Sequence, residues 1–64
     1  MKNYSSREII QIIENDGWYL VRVVGSHHQF KHSHKKGKVT IPHPKKSLPI
    51  KTVKNIFKQA NIQD

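Results

Sequence analysis

No cysteine occurs in the 64-residue sequence. That excludes disulfides and thiolate metal sites, and makes a reducing, intracellular setting the expectation. Acidic residues are also scarce: four Asp and Glu stand against twelve Lys and Arg, for a net charge of +8 with histidine taken as neutral. No apolar run is long enough for a signal peptide or a membrane span. A soluble, cytoplasmic protein with no membrane partner is therefore expected. The length allows a single domain, residues 1–64. A chain of this size buries only roughly 60% of the surface its unfolded form exposes.

A charge excess of this density points to a polyanionic partner: nucleic acid, an acidic protein or an anionic membrane.

The segment SSREIIQIIENDG reads as a helix over about residues 6 to 16. Ser5 and Glu8 have the spacing of a capping box, and Ile9, Ile10, Ile12 and Ile13 recur at helical intervals. Gly17 stands where a left-handed cap is wanted. WYLVRVV, Trp18 to Val24, is β-branched and aromatic and reads as a strand. Gly25-Ser26 then suits a two-residue hairpin loop of type II′, and HHQFKH returns as the second strand.

That loop sets a register in which Val24 faces His27, Val23 faces His28, Arg22 faces Gln29 and Val21 faces Phe30. Tyr19, Val21, Val23, His28 and Phe30 would share the core face. Arg22, His27, Gln29 and Lys31 would share the other, with Trp18 and Leu20 near its outer end. A bulge would change this assignment. Val39 to Ile41 gives a short third strand ended by Pro42. From Pro49 a second helix runs to Ala60, with Ile50, Val53, Phe57 and Ala60 as its apolar stripe and Asn61 as its cap. The expected fold is α+β: a two-layer α-β-β-β-α domain, a three-stranded antiparallel sheet with both helices on one face.

Lys51, Lys54 and Lys58 recur at three and four residues and form the solvent stripe of the second helix. Lys45 and Lys46 precede it, and Lys35, Lys36 and Lys38 lie between strands two and three. In a domain about 25 Å across these clusters make a continuous positive surface, suited to phosphates and blind to base identity. Of five histidines, His32, His34 and His43 read as surface residues. A metal site is disfavoured: histidines four apart on a strand are about 13 Å apart, and no Asp or Glu between Asp16 and Asp64 completes a ligand set. His28 differs, because the turn sets it against Val23 beside an exposed loop. A partly desolvated imidazole at a phosphate-binding face suits a general base.

The reaction such a base serves most simply is RNA cleavage, in which the 2′-hydroxyl attacks its own adjacent phosphate. That route needs proton removal, alignment and charge stabilisation, with no metal and no small-molecule cofactor. A non-catalytic RNA-binding module is the rival reading, using lysines for phosphates and the first helix for a minor groove. A module that binds only protein is a third.

The segments S-R-E-I-I, G-W-Y-L-V-R, G-S-H-H-Q-F-K-H, V-T-I-P-H-P and L-P-I-K-T-V-K-N-I-F-K-Q-A resemble, in order and over about Ser6 to Ile62, the HicA family of bacterial and archaeal toxins. The resemblance implies a fold like the double-stranded RNA-binding domain, ribosome-independent cleavage of mRNA, and a HicB antitoxin as protein partner. It places the essential histidine of the family's G-S-x-H motif at His28, with Gly25 and Ser26 shaping the turn before it. Arg22, Lys31, Lys45, Lys46, Lys51, Lys54 and Lys58 are the expected RNA contacts. For the proton that the leaving oxygen needs, Lys31 and a second histidine remain alternatives.

Overall fold

Ser5 starts the first helix as its spacing predicts. Its Oγ accepts from the Glu8 N–H at 3.1 Å, and the Glu8 carboxylate accepts from the Ser5 N–H at 2.9 Å. The computed structural model describes residues 3–63, so residues 1, 2 and 64 of the expected domain lie outside the described residues. In chain order it contains α1 (Ser6–Asn15), β1 (Trp18–Val24), β2 (His27–His32), β3 (Val39–Pro42) and α2 (Ile50–Gln59). The α-β-β-β-α order and the single antiparallel sheet, with strands side by side as β1-β2-β3, match the expected α+β fold.

Gly17 follows α1 with φ +106°. Its missing side chain is also needed sterically: a Cβ there would lie 2.7 Å from His32 Nε2. Gly17→Ala should therefore cost more than the usual glycine effect, about 1–3 kcal/mol. Urea denaturation would check this, and a neutral result would refute the close approach. At the far end, Asn61 takes φ 53°, its N–H donates to Lys58 O at 3.2 Å, and the Ile62 N–H donates to Phe57 O at 2.9 Å. This is a Schellman closure, and Ile62 adds its side chain to the core edge.

One core joins the two layers. Ile9 and Ile13 of α1, Val53, Ile56 and Phe57 of α2, and Trp18, Phe30, Val39 and Ile41 of the sheet are all buried, with Leu48 and Ala60 beside them. One helical expectation fails: Ile50 is exposed, and Ile56, outside the expected stripe, is buried. Ile56 falls between Val53 and Ala60 at three- and four-residue spacing and widens the apolar stripe, while Ile50 is the first residue of α2.

The hairpin turn is as expected. Gly25 has φ +58° and Ser26 does not enter the positive region, which fits type II′. The first three rungs, Val24 with His27, Val23 with His28 and Arg22 with Gln29, are those the turn dictates. Beyond them the expected register fails. Val21 is bulged out, so Phe30 pairs with Leu20, Lys31 with Tyr19 and His32 with Trp18. The parity of the outer half of β1 therefore inverts: Trp18 is 2% exposed and Tyr19 51%. The expected β1 core positions Tyr19, Val21 and Val23 are all exposed, and Trp18 is the strand's buried residue. Burying the indole removes far more apolar area from water than burying a valine, and one unpaired residue is the smaller cost.

Candidate catalytic site at the hairpin end of the sheet

The Gly25-Ser26 turn is held to β3 by the His43 N–H, which donates to Ser26 O at 2.8 Å. This bond extends the β2–β3 ladder, in which His28 pairs with Ile41 and His27 with Pro42, by one step. Alternation along β3 then sets His43 on the helix-facing side with Val39 and Ile41, diagonally across from His28. The two imidazoles meet edge to face, with centroids 4.9 Å apart and planes at 87°. Both rings are half-buried. His43 was expected to be a surface histidine; it instead packs on His28 because the β2–β3 register carries it there.

α1 supplies the floor. Ser6, at its first turn, is 1% exposed. Its Oγ lies 2.7 Å from His43 Nδ1, accepts from the Lys45 N–H at 2.8 Å and donates to Lys45 O at 3.2 Å. The Ser6 N–H also donates to Lys45 O, at 2.9 Å. The loop carrying His43, Lys45 and Lys46 is thus fixed to the helix rather than free. A groove of about 470 Å³ lies here, lined by Arg7, Ser6, His43, Lys45 and Lys46 among others. Arg7 borders it from α1 and Lys45 and Lys46 from the loop, residues of the charge that a phosphate ligand calls for.

His28 has its own asymmetry. Its Nδ1 is buried and finds no hydrogen-bond partner among the described residues.

The expected phosphate contacts divide into groups. Lys45 and Lys46 line the groove together with His43. Lys51, Lys54 and Lys58 are exposed on α2, which begins without a side-chain cap or an acidic residue in its first turn. Its dipole therefore adds to the positive charge at that end. Arg22 and Lys31 are exposed and pair with Gln29 and Tyr19, on the face of the sheet turned away from the helices and from His28. His27 shares that outer face.

The other expected surface histidines also separate. His34 is exposed, but His32 is half-buried and clamps the α1 end. Its Nδ1 accepts from the backbone N–H of His34 at 2.9 Å and of Lys35 at 3.1 Å, so its Nε2–H donates to Asp16 O at 2.7 Å. Lys35 is likewise not a free phosphate contact. Its ammonium donates to the Asp16 carboxylate and to the Ala60 and Asn61 carbonyls. The Lys35 ammonium holds the Asp16 carboxyl below its ordinary value, chiefly through that hydrogen bond. A lowered carboxyl stabilises the fold above its unfolded-state pKa and stops doing so as pH falls through the folded value. Asp16→Asn should therefore reduce stability slightly at neutral pH and not at all in strong acid; an equal loss at both would refute the linkage. Among the described residues, no three His, Asp or Glu side chains converge as metal ligands would.

Fold and site together define a small basic α+β domain with a paired-imidazole centre set among cations. The family model for the HicA toxin of bacterial toxin–antitoxin systems matches residues 6–62, and the chain belongs to that family. Comparison with curated protein sequences gives no match. Among the described residues, no helix is long and apolar enough to cross a membrane.

Proposed function

We propose that this toxin is a metal-independent endoribonuclease acting on mRNA, with His28 as the general base. The observation that carries this reading is the placement of His28: half-buried at the hairpin end of the sheet and in ring contact with His43, which lines a groove bordered by Arg7, Lys45 and Lys46. His28 Nε2 takes the proton of a 2′-hydroxyl while that oxygen attacks the adjacent phosphorus. Lys45 and Lys46 stabilise the charge that develops on the phosphoryl oxygens. Gly25 and Ser26 hold the turn that sets His28 in place. Lys51, Lys54 and Lys58 track the phosphate chain along α2, and Arg22 and Lys31 engage it where it passes onto the outer face of the sheet. The chemistry uses the substrate's own hydroxyl as nucleophile, so it calls for neither a metal nor another cofactor. The site of action is the cytoplasm, where the message is.

The family implies an antitoxin, and HicB is the partner proposed. An acidic HicB surface would complement the +8 charge. Leu20, Val21, Val23 and Val24, all exposed on β1, supply apolar area of the kind protein partners cover.

The 2′-hydroxyl mechanism makes a sharp distinction between nucleic acids. Purified toxin should cut single-stranded RNA and leave DNA of the same sequence whole, by gel analysis of end-labelled strands. Cleavage of both would rule out the 2′-hydroxyl as nucleophile. Salt-sensitive RNA binding without cleavage would favour a non-catalytic RNA-binding module.

A further inference from the structure

Transesterification by this route needs two proton transfers, and His28 accounts for one. The O2′–P bond forms as the P–O5′ bond breaks, the 2′ proton goes to the base, and the leaving O5′ needs a proton from elsewhere. The two sequence candidates were Lys31 and a second histidine. Lys31 is paired with Tyr19 on the outer face of the sheet, away from His28. His43 is in ring contact with His28 at 4.9 Å.

We propose that His43 is the general acid of the same site, protonating the 5′-oxygen, and that Ser6 is its positioning residue. This rests on the ribonuclease reading above. The network around Ser6 suits an acid through its whole cycle. With the Ser6 hydroxyl proton directed to Lys45 O, Ser6 Oγ accepts from His43 Nδ1–H. That bond is the same for the imidazolium and for the neutral ring left after donation. Only Nε2 changes state, and no group has to reorient during turnover. Ser6 is buried and tied by three bonds to Lys45, so it fixes the imidazole angle. Arg7 from α1 and Lys45 and Lys46 from the loop line the groove beside the ring.

The role gives His28 and His43 opposite protonation requirements, one neutral and one protonated at the start. The rate should therefore follow a bell-shaped pH profile, and removing His43 should abolish its alkaline limb while leaving the acid limb in place.

The decisive test uses RNA in which sulfur replaces the bridging 5′-oxygen at the cut site. A thiolate, whose acid titrates near about 8.5, leaves without protonation. His43→Ala should lose ~10²–10⁴-fold in single-turnover rate on ordinary RNA, yet cleave the sulfur substrate within roughly tenfold of wild type. His28→Ala should lose on both substrates. Ser6→Ala should show a smaller loss on ordinary RNA and none on the sulfur substrate. Equal losses of His43→Ala on the two substrates would reduce His43 to a structural residue, and no loss on either would remove it from the mechanism. His43→Gln, which keeps a polar side chain of similar size, serves if the alanine variant does not fold. A wild type that cuts neither substrate would defeat the ribonuclease reading itself, a failure distinct from either of these.

Discussion

His28→Ala should lower single-turnover cleavage of RNA by ~10²–10⁴-fold without a matching loss of RNA affinity. The separation follows from where the charges lie. Binding is carried by lysines on α2 and on the loop beside α1, which the substitution leaves in place. The imidazole is half-buried at the end of the sheet, so its loss removes the base without opening the main core. Fluorescence anisotropy on an uncleavable RNA would measure binding, and rapid quench would measure chemistry. If cleavage persists within a few-fold of wild type, His28 is not the base. If affinity and rate fall together, the histidine is a binding contact.

The largest effect on stability should come from Trp18→Ala, at about 3–5 kcal/mol, with Tyr19→Ala costing within about 0.5 kcal/mol. A 64-residue domain has roughly 3–10 kcal/mol in total at the usual per-residue stability. Trp18→Ala should thus leave much of the chain unfolded, while its neighbour's loss is barely registered. The contrast depends wholly on the Val21 bulge, since without it Tyr19 would be the core residue and Trp18 the exposed one. Urea denaturation of the two variants measures it. A larger loss at Tyr19 would mean that β1 runs unbulged.

Local chemistry made most of the fold legible. The Ser5–Glu8 box, Gly17, the Gly25-Ser26 turn and Asn61 each satisfy a requirement imposed within a few residues, and each occurs as expected. The bulge was harder because WYLVRVV is composed of strand formers throughout, with no glycine or other mark for the extra residue. One signal existed. Trp18 is the largest apolar side chain in the sequence, and the register set by the turn would leave it on the outer face unless one residue is skipped.

The site was half legible. His28 follows from the turn, because the hairpin fixes its register directly. His43 does not, because β3 is reached through residues 33 to 38, a loop whose geometry sets no register. Once Ile41 is known to pair with His28, alternation places His43 beside it. Ser6 is not legible for a related reason: the capping function belongs to Ser5, and only the tertiary contact with Lys45 shows what its neighbour does.

The central claim is that the toxin cleaves RNA through the 2′-hydroxyl with histidine as base. The most direct test is to incubate wild type with a single-stranded RNA in excess EDTA and determine the product ends by mass spectrometry. The account predicts cleavage leaving a 2′,3′-cyclic phosphate, or the 3′-phosphate formed by its hydrolysis, opposite a 5′-hydroxyl. Products ending in 5′-phosphate and 3′-hydroxyl, or cleavage only when magnesium is restored, would contradict it.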